Sequence, residues 1–333
     1  MYNIKCNYSI QLNKDLESIA TVDSGDELII ETVNAYGEHF NNLNDLVDLI
    51  NNKNGDKHHH PLTGPINIRG AKPGDVLKIT IKKIKIELMG QALSQSAGIK
   101  PIKISHFGDR APIIASYDEK AKDILYMNGM HIPYKPMIGM IGTAPSEGFT
   151  KTGHAGHTGG NLDIPFITEN TVVYLPVEVE GGQLFLGDVH GNQGYGELGG
   201  IALEASATIK LIVEILKPRE EMNNILIVGK EPMSGKNAIG IVGVANSFQN
   251  LNEAVLNSYL GAIKILKPIF PTLNEHLVCN LITAIGHSMN GQAFSKTSES
   301  TSIINIFEED IRKIKNNSKF DILTDIEEIL FEK

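Results

Sequence analysis

Two short stretches concentrate the residues best suited to chemistry. One is Gly153-His154-Ala155-Gly156-His157-Thr158-Gly159-Gly160-Asn161-Leu162-Asp163. The other is Gly187-Asp188-Val189-His190-Gly191-Asn192-Gln193-Gly194-Tyr195-Gly196-Glu197. Each sets imidazoles, carboxylates and amides on glycine-rich backbone. Glycine lets the chain turn tightly and approach other groups closely. Oxygen and nitrogen donors of this kind suit a divalent metal site or an acid–base pocket. A metal could polarise a carbonyl and acidify a water, and a carboxylate beside it could move protons. Asp188 and His190 stand two apart just past a predicted strand, so they should face one side. Glu197 follows a turn that could return it beside them. Glycine with Asp and Asn also makes ordinary turns. The two stretches flank one predicted hairpin, which leaves the site reading and the turn reading both open.

The elements that must position them are mostly strands. Residues 27–33 (ELIIETV) read as a short β run. Residues 75–87 (DVLKITIKKIKIE) alternate apolar and basic side chains, the period of a strand with one wet face. Residues 136–145 (PMIGMIGTAP) read as a bent, buried strand. Residues 171–188 read as two strands joined at Glu180-Gly181-Gly182-Gln183. Further β runs are predicted at 207–216, 225–228 and 238–245. Helical signals come late. Asn250 opens a run closed by Pro268, Thr272-Leu-Asn-Glu275 reads as a capping box, and 319–331 is amphipathic. The expected fold is mainly β with α+β additions: packed, sandwich-like sheets with C-terminal helices. One unit is expected over 1–333, with a β-rich core to about 246 and a helical part over 247–333.

Composition removes other classes. The 333 residues carry a net charge of −9, which disfavours binding to a phosphate backbone. No run approaches the length of a membrane span, and the N-terminus lacks a signal-type apolar stretch. Cys6 and Cys279 are far apart, so neither a disulfide framework nor a zinc ribbon is supported, and a cytoplasmic setting is expected. Exposed strand edges make a homodimer the expected assembly.

Other candidates are weaker. His58-His59-His60 precedes Pro61 and reads mainly as a loop, leaving one of its histidines as a site candidate. His106, His131, His276 and His287 are isolated. Residues 229–236 (GKEPMSGK) have the wrong spacing for a phosphate loop, and Asn237 stands where Ser or Thr is required. Cys279 lies in an apolar helical stretch, more core than nucleophile.

Five ordered blocks resemble the acetamidase/formamidase family. They are His60-Pro-Leu-Thr-Gly-Pro-Ile with Gly70-Ala-Lys-Pro-Gly-Asp-Val-Leu77; Pro136 to Pro145; Gly159-Gly-Asn-Leu-Asp163; Tyr174-Leu-Pro-Val177; and Gly187 to His190 with Gly194 to Glu197. The resemblance spans residues 60 to 216, and the helices after 250 fit it more loosely. It implies hydrolysis of a small linear amide to carboxylate and ammonia, on a β-rich fold, with an associated divalent metal, zinc or else calcium. On that implication Asp163, Asp188 and His190, joined by His157, would hold the ion. Glu197 would be the general base and then the general acid. Asn161 would orient the substrate or stabilise the oxyanion.

Three positions depart from the family pattern. Thr158 stands where the family has His directly before Gly-Gly-Asn. Tyr195 replaces the Asp of Gly-Asp-Gly-Glu. Gly286-His287 replaces a Gly-Asp. These leave open a changed substrate or metal, or a silent relative that binds a small molecule or a partner chain. A metal-free Cys or Ser hydrolase is a weaker alternative. A residue displaced by one along a strand faces the other way, so His157 replaces the missing histidine only if the loop absorbs the shift.

Overall fold

The computed structural model describes residues 2–51, 60–92, 112–118, 123–125, 130–198, 200–248, 250–291 and 299–332. Its architecture is mainly β, a large curled sheet carrying helices, most of them near the C-terminus. Most pairings are antiparallel. Tyr2–Ile4 with Glu27–Thr32 and Ala20–Val22 with Leu62–Ile68 run parallel.

The longest strand is Val76–Ala92. Its alternation buries Ile79, Ile81, Ile84 and Ile86 and turns Lys83 and Lys85 to solvent. The register against Glu204–Leu216 shifts at Lys82, where Lys83 faces Lys210 but Ile81 faces Leu211. This bulge lets two successive lysines reach water without moving the isoleucines off the core face. The burial of Glu204–Leu216 alternates in the same sense over most of its length. By contrast Met137–Thr143 and Leu184–His190 are buried at every position. They are inner strands with both faces covered, and their sequences accordingly lack alternation.

The strands at 172–176 and 184–190 do not form the expected hairpin. Val172–Pro176 pairs with Val76–Ala92 and Leu226–Lys230. Leu184–His190 pairs with Met137–Thr143 and Leu62–Ile68, and its end meets Glu204. Both edges of each strand are already taken, so the turn at 180–183 connects two separate neighbourhoods of the sheet.

The C-terminal part is less purely helical than its sequence suggests. Glu299–Phe307 joins the sheet between Asn237–Phe248 and His287–Asn290. Helices Leu43–Asn51 and Glu308–Lys315 add to the predicted ones. Leu251–Ile269 is capped by Asn250, which accepts from the Glu253 amide, and it runs one residue past Pro268. Glu275–Ile285 is capped by Asn274 rather than Thr272, so the expected box is replaced by a single Asn cap. Buried faces of Leu251–Ile269, Glu275–Ile285 and Ile322–Leu330 pack with Tyr174, Ile239 and Ile306 in one apolar cluster. A larger cluster fills the curl of the sheet around Ile79, Phe166 and Leu186.

Candidate active site

Six ionisable side chains from five separate chain segments converge at one end of Leu184–His190. Asp188 and His190 are on that strand. Glu204 opens the next strand and stands directly opposite His190 in the register. Asp163 follows the short strand Gly159–Asn161, and both Leu162 and Asp163 donate their amides to the Gly139 carbonyl. Glu197 ends the glycine-rich loop, and His60 precedes Leu62–Ile68. Asp163, Asp188, His190 and Glu204 are each 1% exposed, and Glu197 is 7% exposed.

The contacts are close. His60 Nδ1 lies 2.8 Å from Asp188 Oδ1. His190 Nε2 lies 3.5 Å from Asp188 Oδ1 and 3.3 Å from Glu204 Oε2. Neither His190 Nε2 nor Glu204 Oε2 completes a hydrogen bond. His190 Nδ1 meets Gln193 Oε1 at 2.6 Å, and Gln193 Nε2 donates to the Asp163 carbonyl at 2.9 Å. Gln193 therefore sets the ring of His190 and the backbone of Asp163 together. Two groups present ligand atoms within 4.8 Å of one another: Asp163, His190 and Glu197; and Asp188, His190 and Glu204.

The backbone here is unusual. Among the described residues, eight non-glycine positions have positive φ, and four of them are His60, Asp163, Asp188 and Glu197. Such conformations cost energy and persist only where the surroundings impose them. Gly139 shows how tight the surroundings are. A Cβ there would stand 2.7 Å from the Asp188 carbonyl oxygen, 2.8 Å from Asp163 Oδ1 and 2.8 Å from His190 Cε1.

Electrostatics follow from packing four carboxylates against two imidazoles. Burial and then the charges of Glu197 and Asp188 push Asp163 well above the ordinary carboxylate range. Burial opposes ionisation of Asp188, but the charges of His60 and His190, with the hydrogen bond to His60, hold it well below that range. For His60, burial disfavours the cation, yet Asp188 chiefly, then Glu204 and Asp163, raise it to about 9. His190 is raised in the same way, Glu204 and Asp188 outweighing burial. Four buried carboxylates exceed two imidazoles even when both are protonated. The excess calls for a proton on Asp163 or for a cation. Imidazole and carboxylate donors, with two atoms aimed together and unbonded, fit a divalent ion.

The structure thus brings together Asp163, Asp188, His190 and Glu197. It does not bring His157 to them. That side chain is 60% exposed and pairs with Glu178 at 2.5 Å. His157 is therefore corrected from candidate ligand to surface residue. Its neighbour Thr158 is the buried one, because adjacent residues face opposite ways and the loop does not absorb the shift. Asn161 is buried, with Oδ1 lacking a hydrogen-bond partner. Tyr195 turns its hydroxyl to Glu231.

Two members were not read as such from the sequence. His60 was visible only as one of three histidines, and His58 and His59 lie outside the described residues, as does His106. Glu204 was missed. Its signal was an acidic residue heading an apolar strand, placed to pair with the end of Leu184–His190. His131, His276 and His287 are exposed. The turn after Leu226–Lys230 folds around its own anion, the Glu231 carboxylate accepting from the Met233 and Ser234 amides.

A family model described as the acetamidase/formamidase family matches residues 8–156 and 149–275. Over 260 residues the chain is 27% identical to a protein of Schizosaccharomyces pombe named provisionally as a formamidase, covering 59% of this chain and 61% of that protein. It is 25% identical over 281 residues to an acetamidase of Mycolicibacterium smegmatis, covering 62% of this chain and 69% of that one. The match thus spans about three fifths of the first relative's length. The solved structure of a predicted acetamidase/formamidase from Thermoanaerobacter tengcongensis superposes with a TM-score of 0.80 at 27% identity, covering 95% of this chain and 98% of that one.

Proposed function

Because the chain belongs to the acetamidase/formamidase family, we propose that it hydrolyses the C–N bond of a small linear amide, giving a carboxylate and ammonia. The observation that carries this reading is the buried convergence of Asp163, Asp188, His190, Glu197 and Glu204. We assign Asp188, His190 and Glu204 to a divalent ion, zinc being the choice for an imidazole and carboxylate set. Such an ion, when bound, polarises the amide carbonyl and lowers the pKa of nearby water. His60 fixes Asp188 through its 2.8 Å contact, and Gln193 fixes the His190 ring.

Asp163 and Glu197 are then the proton-moving pair. Two buried carboxylates this close favour sharing one proton. Glu197 accepts a proton from the attacking water as oxygen bonds to the amide carbon. It returns the proton to nitrogen as the C–N bond breaks and ammonia leaves. Asn161 Oδ1 is the acceptor assigned to the substrate's amino group. A cytoplasmic setting and a homodimer complete the proposed reading.

The test is ammonia release from formamide and acetamide, before and after chelation, together with zinc binding by wild type and Glu204→Gln. The expected result is turnover that chelation abolishes and zinc restores, with weaker zinc binding in the variant. Turnover indifferent to chelation would remove the ion from the mechanism. Absence of turnover across an amide panel, with zinc still bound, would leave a binding protein built on an amidase frame.

A further inference from the structure

Tyr195 lies two residues before Glu197 in the glycine-rich loop, and its side chain ties that loop to another part of the fold. Its ring packs against the main core while its hydroxyl donates to Glu231 Oε1 at 3.0 Å. Glu231 is completely buried. Its carboxylate also accepts the Met233 amide at 3.0 Å and the Ser234 amide at 2.7 Å. Its own amide donates to the Lys236 carbonyl at 2.8 Å. The acceptor that receives Tyr195 is therefore fixed by a closed turn at the end of a sheet strand.

The loop it holds needs holding. Glu197 lies two residues further on, with φ of 42°, a conformation that a glutamate adopts only when constrained. The start of the loop is tied by Gln193 to His190 and Asp163, and by Asn192 to the Pro133 carbonyl at 2.7 Å. Its far side is tied by Tyr195 to Glu231 and by the Gly196 amide to the Asn290 carbonyl at 2.7 Å. We infer that Tyr195 is a positioning residue, which braces the Glu197 loop against the Glu231 turn and so sets the carboxylate where it moves protons. This inference rests on the proposed role of Glu197.

The test compares Tyr195→Phe, Glu197→Gln and the double variant in the full-length, zinc-loaded protein. Tyr195→Phe keeps the ring and removes the hydrogen bond. It should lower kcat about tenfold with KM unchanged. Hydrogen exchange at the backbone amides of 192–198 should quicken, while exchange in the sheet strands stays as in wild type and the melting temperature falls only by what one lost hydrogen bond costs. In the Glu197→Gln background the same change should cost nothing further in kcat, because the brace acts through the carboxylate. Equal losses in both backgrounds would make Tyr195 a general structural residue and overturn the inference. Unaltered exchange at 192–198 would also overturn it. Wild-type activity in Glu197→Gln alone would instead sink the catalytic reading of Glu197, leaving exchange to decide the brace.

Discussion

Gly139 is the residue on which the site closes most tightly. Its carbonyl anchors the Leu162 and Asp163 amides, and its α-carbon leaves no room for a methyl group beside Asp163, Asp188 and His190. Gly139→Ala should still fold, at a cost of about 1–3 kcal/mol for overpacking. It should bind zinc at least tenfold more weakly than wild type, measured by competition with a chromophoric chelator. Unchanged affinity would show that the donors tolerate displacement. Asn161→Ala should raise KM for acetamide more than it lowers kcat, as expected of a group that binds ground and transition states alike. A fall in kcat alone would give Asn161 an oxyanion role instead. At this scale the sequence was informative where function is local. Asp163, Asp188, His190 and Glu197 sit in glycine-rich stretches whose composition marks them. His60 and Glu204 were obscured because they reach the cluster only through strand register, and register depends on which edges pair. His157 misled for a related reason: one step along the chain separates a buried side chain from an exposed one.

Among the elements, the strand Val172–Pro176 and the helix Ile322–Leu330 are joined by a polar contact through the second core. Tyr174 donates to Glu327 Oε1 at 2.8 Å, and Lys78 Nζ lies 2.8 Å from the same carboxylate and 3.2 Å from Glu214. Burial disfavours the Lys78 cation, but Glu327 and Glu214 raise its pKa above the ordinary value, and burial with the Glu327 charge raises that of Tyr174 as well. Both groups have raised folded values. Their contribution is therefore whole below the unfolded pKa values near 10, and is lost as pH rises through the folded ones. The melting temperature should fall steeply above about pH 10, and less steeply in Tyr174→Phe, which should cost about 1 kcal/mol at neutral pH. Parallel pH curves for variant and wild type would refute the assignment. The long strands Val76–Ala92, Glu204–Leu216 and Asn237–Phe248 were legible from alternation or buried apolar runs, and so was the Asn250 cap, whereas Leu62–Ile68 and Glu299–Phe307 were not read from the sequence. The false hairpin at 172–188 arose because a turn signal reports that the chain reverses, and says nothing about which neighbours it then finds.

For the molecule as a whole, the ion should be a stability term as well as a reagent. The cluster concentrates like charge in the interior, and a ligand that binds only the folded chain stabilises it by mass action. Zinc at about a hundred times its dissociation constant should contribute about 2.7 kcal/mol. A melting temperature unaffected by zinc or chelator would contradict the site. The cluster also leans on a late part of the chain. Glu299–Phe307 sends Thr301 Oγ1 to the Leu162 carbonyl at 2.7 Å, and Glu299 accepts the Ala155 amide at 3.1 Å, so this strand buttresses the segment that ends in Asp163. During synthesis every site residue, from His60 to Glu204, leaves the ribosome well before that strand does. A nascent chain therefore carries its donors while their support is still unmade. Capture of the proposed ion would then belong after translation.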